Sequence, residues 1–415
     1  MAALRVLHVA PYGGDAWAYG GIPRLAQSLT IALAHRGHDV TFATTDVCDE
    51  TSRLGEARAS LFRSTRPPHR IVDGVTHEIF PNLSNRAAYH AQFFTPRGLV
   101  SYMRREAASF DVAHLHACRN LPGVIAAHFL EQAGVPYVLA PNGTAPIIER
   151  RRWAKRAFDV LAGGRVSRHA RRVIAVSQAE RRQLLRLGIA EERIRLIPNP
   201  VDLDEFASPP ARGSFRQRIC LADEPLVLYL GKLTPRKRVE DLVAAFGRIV
   251  ADAACTGQGA APANAKLVIA GNDMGSGPRI RRAVAAAGVA GHTRVVGLLR
   301  GRERLEALAD ADVVVYPAEH EIFGLVPMEA VLSGTPVVVS DDSGCGEVVA
   351  RVGGGLVVPV GDVSAIAAAV TDVLAHRDEW RGRARRAAQT VQRLFGSDTV
   401  GQMVSDLYEE LAASA

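Results

Sequence analysis

Short apolar runs alternate with longer segments of helical period along almost the whole chain, and this alternation restricts the fold more than any other feature. The first run, VLHVA at residues 6–10, leads through a glycine-containing loop into GIPRLAQSLTIALAHRGHDV, a helical segment that stops at a glycine before the next strand. A strand, a helix and a second strand in this order form a βαβ unit, which predicts a parallel sheet. Further candidate strands lie at 111–116, 136–140, 172–177, 193–199, 225–231, 266–271, 293–298, 312–317, 336–340 and 355–360.

The alternation breaks once, at DLDEFASPPARGSF, which is rich in turn residues and has no regular period. Because 415 residues exceed the size at which a single core keeps growing, we interpret the break as a linker between two α/β domains. The expected division is a domain over 1–204, a linker over 205–224, a second domain over 225–385, and terminal helices over 386–415 that return to the first domain. Ligands of doubly wound sheets bind beyond the carboxyl ends of the strands, so functional residues are expected there.

The composition is that of an ordinary globular protein, with 48 % hydrophobic and 22 % charged residues. The five cysteines lie far apart without a CxxC pair, which argues against a disulfide framework and against a cysteine zinc site. No apolar run reaches the roughly 18 residues of a membrane span, and the N-terminal apolar stretch is too short for a signal peptide. We therefore expect a protein of the reducing cytoplasm.

Two glutamates, Glu321 and Glu329, flank the apolar stretch EIFGLVPME, which follows the candidate strand DVVVYP. The proline within it fits the first turn of a helix. At such a helix start the backbone amides of Phe323, Gly324 and Leu325 offer unpaired donors to an anion, and a glycine allows close approach. Acidic residues also occur at helix starts because they complement the helix dipole, so the glutamates alone leave both interpretations open.

A second charged group follows the candidate strand at 225–231, where GKLTPRK carries Lys232 and Lys237 before another helix. Lysines at a strand-to-helix junction suit a phosphate group. A lone lysine is more often a solvated surface residue, but these two lie in the same half of the chain as the helix start described above. The sequence therefore predicts an anion site at the carboxyl edge of the second sheet.

With these motifs the chain resembles the retaining glycosyltransferases of the large nucleotide-sugar-dependent family 4, also called glycosyl transferases group 1. The matching motifs are the glycine loop with Gly20 and Gly21, the helix end RGHDV, and the segments DVAHLH, IPNPVDLDEF, GKLTPRK, GLLRGRERLEALADADVVVYPA and EIFGLVPMEAVLSGTPVVVSDDSGCGEVV. Together they extend over almost the entire chain. The resemblance implies the GT-B fold, in which two Rossmann-like doubly wound domains face each other across a cleft.

The resemblance also implies a role for each donor-site residue. The Glu329 carboxylate would accept hydrogen bonds from the two ribose hydroxyls of a nucleotide sugar, which its two oxygens suit. Glu321 would contact the transferred sugar, and the three backbone amides would meet the diphosphate. Lys232 and Lys237 would stabilise the charge that develops on the leaving group. The implied donor site also includes Gly20, Gly21 and Leu298.

Two positions depart from the usual pattern of the family. Lys232 stands where arginine is usual, and Arg238 stands where glycine is usual. Lysine keeps the positive charge but loses the bidentate fork of arginine, which changes the geometry with which position 232 can hold a donor phosphate.

The first domain contributes a histidine pair and an asparagine. On the strand DVAHLH, His114 and His116 share one face because side chains alternate along a strand. In similar enzymes a histidine at the position of His116 contacts the donor sugar and supports an oxocarbenium-like transition state, whereas His114 is interpreted as structural. Asn142, which follows the next strand, is a candidate for binding the acceptor.

No metal ion and no cofactor are expected. The pairs Asp202/Asp204 and Asp310/Asp312 have the spacing of the metal-binding DxD motif of another glycosyltransferase fold, but one lies in the linker and the other precedes a strand. The lysines already supply the positive charge that a divalent ion would bring. The expected donor is a UDP-sugar, with GDP- and ADP-sugars as alternatives.

Positive charge is concentrated between residues 149 and 186, which hold twelve Lys or Arg against three acidic residues, in a chain of net charge +7. The segment also contains Trp153 and Leu161, and three interpretations remain open: a solvated helical face, docking on an anionic membrane surface near a lipid-linked acceptor, and nucleic-acid binding. The sequence shows no aromatic-interleaved single-strand motif and no DNA-reading helix, which argues against nucleic acid.

The expected function is transfer of a sugar from a nucleoside diphosphate sugar to an acceptor hydroxyl with retained anomeric configuration. The expected context is the synthesis of a bacterial-type surface polysaccharide or glycolipid, in the cytoplasm or at the inner face of the cytoplasmic membrane. The same architecture hosts sugar-nucleotide epimerases and phosphorylases, and a binding-only relative is a further alternative. The presence of Glu321, Glu329 and Lys237 argues against a decayed site.

Overall fold

The computed structural model describes residues 3–54, 69–148, 152–256, 264–342 and 344–414. The chain divides into two compact units: the first comprises Met1–Pro200 with Ser397–Ala415, and the second comprises Val201–Gly396. Each unit contains its own β-sheet. No described helix is both long and apolar enough to cross a lipid bilayer.

The strands divide between the two sheets in chain order. Those of the first unit are β1 Arg5–Val9, β2 Asp39–Thr45, β3 His69–Val72, β4 Val75–Phe80, β5 Val112–His116, β6 Tyr137–Ala140, β7 Arg172–Ala175 and β8 Ile194–Leu196. Those of the second unit are β9 Leu226–Leu230, β10 Lys266–Ala270, β11 Thr293–Gly297, β12 Val313–Tyr316, β13 Val337–Ser340 and β14 Gly355–Val358.

Helices connect nearly all of these strands. They are α1 Gly21–His35, α2 Asn85–Ala91, α3 Leu99–Glu106, α4 Leu121–Ala133, α5 Arg152–Phe158, α6 Gly164–His169, α7 Gln178–Arg186, α8 Ser214–Arg218, α9 Val239–Thr256, α10 Gly277–Ala286, α11 Gly301–Asp310, α12 Leu325–Leu332, α13 Gly344–Val352, α14 Val363–Ala375, α15 Arg377–Phe395 and α16 Ser397–Ala412. Among the shorter turns are a 3-10 turn at Pro235–Lys237 and a π-helical turn at Asp159–Gly163.

The sheet of the first unit has, among the described residues, the strand order β3-β4-β2-β1-β5-β6-β7-β8. Its neighbouring strands are parallel except for the β3–β4 pair. The core residues on one face of this sheet include Leu7, Leu115, Leu139 and Val173, all fully or almost fully buried. The sequences of these strands are short apolar runs because helices cover the sheet. The expected parallel α/β sheet is thereby confirmed.

The antiparallel β3–β4 hairpin was not among the strands that the sequence predicted. Its turn contains Asp73 and Gly74, both with positive φ, and Asp-Gly between two β-type runs is a strong local hairpin signal. That signal is present in RIVDGVTHEIF, but the segment is short and partly polar, so its periodicity alone is weak.

The sheet of the second unit is parallel throughout its described strands, in the order β11-β10-β9-β12-β13-β14. The strands β9, β12 and β13 consist almost entirely of buried Val and Leu, as expected where helices cover both faces. Since β9 pairs directly with β12, the loops that follow these two strands leave the sheet side by side. The second doubly wound domain is therefore also confirmed.

The residues expected to form a linker, 205–224, lie within the second unit and contain α8. The buried Asp310 carboxylate accepts hydrogen bonds from the backbone amides of Phe215 and Arg216 at 2.8 and 3.0 Å. The guanidinium of Arg216 also pairs with buried Asp312 at 2.8 Å. These contacts hold residues 205–224 against the second unit. They involve the carboxylates of both Asp310 and Asp312, one of the two pairs with DxD spacing.

The boundary between the units near the C-terminus does not lie at residue 386, where it was expected. Helix α15 lies wholly in the second unit, where Arg381 pairs with Asp312 at 3.1 Å. Gly396 follows α15, and α16 belongs to the first unit, where Tyr408 packs against the histidines of β1 and β5. The change of unit therefore falls at residues 396 and 397.

Candidate active site

The carboxyl edge of the second sheet brings two backbones into contact. Gly231 follows β9 and Gly271 follows β10. A Cβ at Gly271, whose φ is +156°, would overlap the Gly231 carbonyl oxygen. The two loops can therefore approach this closely only with glycine at position 271.

A cluster of buried Lys237 and Tyr316 with part-buried Glu321 lies at this edge. The Lys237 ammonium donates to the Tyr316 hydroxyl at 2.5 Å and forms an ion pair with the Glu321 carboxylate. The Tyr316 hydroxyl donates to the same carboxylate at 3.1 Å. Lys237 comes from the turn after β9, whereas Tyr316 ends β12 and Glu321 follows it, so the β9–β12 pairing brings the three together. The sequence predicted Lys237 and Glu321 but missed Tyr316.

The electrostatics of the cluster keep Glu321 ionised. Burial alone would raise the pKa of Glu321, but the Lys237 ammonium, helped by Arg236 and the Tyr316 hydroxyl, holds it below its usual value of 4.5. Burial, and the nearby Glu321 charge, raise the pKa of Tyr316 well above 10. At neutral pH the cluster therefore contains a carboxylate and a neutral phenol that donates a hydrogen bond.

Helix α12 begins beside this cluster, at Gly324. Gly324 has φ +81°, and a Cβ there would overlap the Cys345 sulfur, so the helix start depends on glycine. The Cys345 amide donates to the Glu321 carbonyl at 2.8 Å, which fixes the loop before the helix. The Phe323 side chain is buried against Phe395, so only its backbone remains available for a ligand. Helix α12 thus begins four residues after Glu321, at the end of a loop that the Cys345 contact holds.

Glu329 is more deeply buried than the sequence analysis implied. Its side chain is 1 % exposed and forms an ion pair with Arg304 of α11, which is 4 % exposed and also pairs with Glu205. The sequence did not identify Arg304 as a site residue. The sequence feature that could have identified Arg304 is the second arginine of GRERLEALADADVVVYP, which lies on the helix that precedes β12.

The other predicted residues of the second unit lie along the same edge or beside it. Lys232 is half-buried directly after Gly231, and its carbonyl accepts a hydrogen bond from the Tyr229 hydroxyl at 2.8 Å. Leu298 is half-buried after β11, two strands away from β9. Arg238, in the left-handed conformation with φ +48°, pairs with Glu319 at 3.0 Å. An arginine in place of glycine therefore ties the turn after β9 to the loop before Glu321.

In the first unit, Gly20 and Gly21 form the start of α1. Gly20 is the residue before the helix and has φ +90°, and Gly21 is the first helical residue. Asn142 follows β6 with φ +50°, and its side-chain amide donates to the Ala140 carbonyl at 3.3 Å. Gly20, Gly21 and Asn142 therefore follow β1 and β6 on the carboxyl edge of the first sheet.

His116 belongs to a buried group with His8, His114 and Tyr408. The rings of His114 and His116 are stacked with centroids 4.3 Å apart, on one face of β5 as predicted. His116 Nε2 lies 3.0 Å from His8 Nδ1, His8 Nε2 lies 3.1 Å from the Tyr408 hydroxyl, and that hydroxyl lies 2.6 Å from His114 Nδ1. The sequence predicted neither His8 nor Tyr408 as partners of His116.

Burial keeps the three imidazoles neutral. It lowers the pKa of His116 to about 3 and lowers those of His8 and His114 well below 6.5, with a further contribution from the neighbouring histidines. Neutral imidazoles are metal ligands, and the ring nitrogens of the three lie within 4.8 Å of one another. Among the described residues this group is thus a candidate for metal binding that the sequence analysis did not identify.

Two family models match the chain: Glycosyltransferase Family 4 over residues 19–205, and Glycosyl transferases group 1 over residues 214–391. The D-inositol 3-phosphate glycosyltransferase of Geodermatophilus obscurus is 30 % identical over 333 residues, which are 78 % of this chain and 72 % of that protein. The protein of the same name from Xylanimonas cellulosilytica is 28 % identical and aligns with 98 % of this chain and 96 % of its own.

Solved structures with the same arrangement of elements include sucrose-phosphate synthase from Thermosynechococcus elongatus, with a TM-score of 0.74 and 22 % identity over 99 % of this chain and 100 % of that one. Another is Anabaena HepE in complex with UDP-glucose, with a TM-score of 0.69 and 19 % identity over 98 % and 100 % of the chains. The two parallel α/β units and the site at the edge of the second one define a glycosyltransferase of the GT-B fold. Within that class, the chain belongs to the family 4 glycosyltransferases, the glycosyl transferases group 1.

The buried Arg304–Glu329 pair predicts a large effect on stability. Arg304→Met removes the cation paired with buried Glu329, and we expect it to lower the free energy of unfolding by about 3–5 kcal/mol. Urea unfolding of the purified protein measures this change. The double variant Arg304→Met/Glu329→Met should recover most of the loss, since it removes both charges. A double variant as unstable as the single one would contradict this account of the pair.

The neutral histidines predict how stability depends on pH. An unfolded histidine takes up a proton below pH 6.5 whereas the folded ring does not, so unfolding is favoured as the pH falls. Each of His8, His114 and His116 should contribute up to about 1.4 kcal/mol per pH unit between pH 6.5 and 5. Glu180 acts in the opposite direction, because burial raises its pKa to about 7.

Urea unfolding followed between pH 7.5 and 5 tests this prediction. The control is His114→Gln, which has one titrating group fewer and should show a shallower loss of stability than the wild-type protein. A stability that does not change over this range, or a variant with a steeper dependence, would contradict the neutral state of the three rings.

Proposed function

We propose that the protein transfers a glycosyl group from a nucleoside diphosphate sugar to an acceptor hydroxyl, with retention of the anomeric configuration. The observation that carries this proposal is the contact of Lys237 with Glu321 and Tyr316 beside the first amides of α12. A cation and a helix start favour the diphosphate, and a hydrogen-bonding carboxylate favours the hydroxyls of the sugar.

A UDP-sugar is the donor that we favour. Anabaena HepE, which shares the fold, was solved with UDP-glucose, while GDP- and ADP-sugars remain alternatives. In this assignment the Glu329 carboxylate binds the ribose, with Arg304 holding it in place. The amides of Phe323, Gly324 and Leu325 meet the diphosphate, and Leu298, Gly20 and Gly21 complete the donor site.

For the reaction we favour attack on the same face of the sugar from which the diphosphate leaves. The bond between the anomeric carbon and the diphosphate oxygen breaks, the acceptor oxygen bonds to that carbon, and the acceptor's proton passes to the leaving phosphate. Lys237 and Lys232 stabilise the negative charge that develops on this phosphate. Glu321 holds the sugar, His116 supports the positive charge of the oxocarbenium-like transition state, and Asn142 contacts the acceptor.

We assign no metal ion to this reaction. Asp310 and Asp312 are engaged with backbone amides and arginines, and Asp202 accepts a hydrogen bond from the Asp204 amide at 3.0 Å. Asp310, Asp312 and Asp202 therefore make structural contacts, while Lys237 brings a positive charge to the proposed donor site. We expect turnover to be the same with EDTA as without it.

We further propose that the acceptor is a glycan or a lipid-linked glycan at the inner face of the cytoplasmic membrane, in surface polysaccharide or glycolipid synthesis. Within the basic segment 149–186, of which 149–151 lie outside the described residues, Trp153 is 77 % and Leu161 84 % exposed. Exposed apolar side chains next to exposed Arg152, Arg156 and Arg165 suit an anionic lipid surface. A purely solvated face would not need the apolar residues.

The roles within the donor site predict three different phenotypes. Lys237→Ala should lower kcat by roughly 10² to 10³, because one preorganised charge at the leaving group is lost. Glu329→Ala should weaken binding of both the nucleotide sugar and the free nucleoside diphosphate, whereas Glu321→Ala should spare binding of the diphosphate and impair transfer. Calorimetry with UDP, and acceptor-dependent release of UDP, measure the two effects.

Two outcomes would overturn these assignments. Equal loss of UDP binding in Glu321→Ala and Glu329→Ala would show that the two glutamates are assigned wrongly. Release of UDP that does not depend on any added acceptor would favour a sugar-nucleotide epimerase or hydrolase over a transferase. The Tyr137→Phe variant, altered in the core of the first unit, is the matched control for all three.

Membrane docking predicts that Trp153→Ser/Leu161→Ser weakens binding to phosphatidylglycerol-containing vesicles by at least about tenfold, since each buried apolar side chain contributes more than 1 kcal/mol. Vesicle sedimentation measures binding, with phosphatidylcholine vesicles for comparison. The control is Ile71→Ser/Leu83→Ser, which removes two exposed apolar side chains outside the basic segment. Equal binding by both double variants would support a solvated face.

A further inference from the structure

The buried histidines of the first unit form one continuous chain of hydrogen bonds. His114 Nδ1 contacts the Tyr408 hydroxyl at 2.6 Å, the hydroxyl contacts His8 Nε2 at 3.1 Å, and His8 Nδ1 contacts His116 Nε2 at 3.0 Å. All four side chains are buried. They come from β1, β5 and the last helix α16, so the C-terminal helix is linked to His116 through His8.

This chain allows only two arrangements of protons. Each neutral ring carries one N–H, and the tyrosine hydroxyl can donate to one of its two neighbours while it accepts from the other. If Tyr408 donates to His114, then His8 and His116 must each carry the proton on Nε2, as His114 then does. If Tyr408 donates to His8, all three rings must carry it on Nδ1. The three histidines must therefore share one tautomer.

The two ends of the chain lie at a small cavity. His114 Nε2 and His116 Nδ1 are buried without a hydrogen-bond partner among the described residues, and so is Asn142 Oδ1. The three residues line one cavity of about 20 Å³, whose remaining wall includes apolar side chains of α1 and α16. Roughly 10 to 15 Å³ is enough to admit one water molecule, and such a water needs two to four polar partners.

We propose that one water molecule binds between His114, His116 and Asn142 and closes the chain into a ring, in which Tyr408 and His8 act as positioning residues for His116. The water donates one hydrogen to Asn142 Oδ1 in both arrangements. Its other hydrogen goes to whichever histidine nitrogen lacks a proton, and its oxygen accepts from the histidine that carries one. All three unpartnered atoms are thereby satisfied in either arrangement.

A transition-metal ion is the competing occupant, because three histidines and an amide oxygen can also ligate one. Binding it through His8 would break contacts that already pair both ring nitrogens of His8. The water keeps every existing hydrogen bond, and we therefore favour it.

Nitrogen NMR of the protein labelled at histidine nitrogens reads the tautomers directly, with resonances assigned by single His→Gln variants. We expect His8, His114 and His116 to show the same tautomer at pH 7.5, and to do so also in Tyr408→Phe, where the water alone still couples His114 to His116. A His114 ring that differs from His116 in this variant would overturn the water. Mixed tautomers in the wild-type protein would overturn the ring. Stoichiometric metal found by elemental analysis of the protein purified without chelator would also overturn it.

Kinetics test the positioning role, which rests on the proposed function of His116. Tyr408→Phe should lower kcat on the order of tenfold, with little change in KM for the donor, because it loosens the His116 ring without touching the donor site. Tyr137→Phe is the control, since it removes another buried hydroxyl of the same unit, one that contacts Glu131 and Val166 instead. This control should stay within about twofold of wild type.

The two arms separate the possible failures. If the tautomers match but His116→Ala transfers sugar normally, the ring stands and the proposed role of His116 is wrong. If His116→Ala is impaired while Tyr408→Phe keeps the kcat of the wild type, the positioning role of Tyr408 is wrong.

Discussion

The parallel pairing of β9 with β12 is the constraint on which the proposed donor site depends. Parallel strands place all their carboxyl ends at one edge, so the segments after two neighbouring strands must meet there. Lys237 follows one of these strands and Glu321 follows the other, and the two come into contact although 84 residues separate them. At the same edge, Gly271 after β10 allows close approach to the backbone of Gly231 after β9.

The second unit carries its charged groups in pairs of opposite sign. Lys237 pairs with Glu321, Arg304 with Glu329 and Glu205, and Asp312 with three arginines. A charge that is buried alone costs several kcal/mol, so each buried carboxylate here is held by a cation. These cations also fix the carboxylates in position, which would reduce the reorganisation required in the proposed donor site.

Among the described residues of the first unit, buried histidines are stabilised by hydrogen bonds and not by ion pairs. Its central strands carry His8, His114 and His116, and burial keeps these rings neutral instead of pairing them with charges. Neutral rings need complementary donors and acceptors, and Tyr408 supplies both from one hydroxyl. The histidine group of the first unit is therefore specified by hydrogen-bond directions, whereas the carboxylates of the second unit described above are held by charge.

Local patterns in the sequence determined the two parallel sheets, most strand positions, the helix start at Gly324, and Lys237 and Glu321 as candidates. These features depend on side-chain periodicity and on spacing within a motif, both of which act over a few residues. The tertiary structure alone decided the partners: Tyr316 and Arg304 in the donor site, Asp310 as the residue that holds 213–216, and Tyr408 beside a histidine 400 residues away. Such partners are selected by packing between elements that are distant in the chain, and no local pattern records which buried polar groups will face each other.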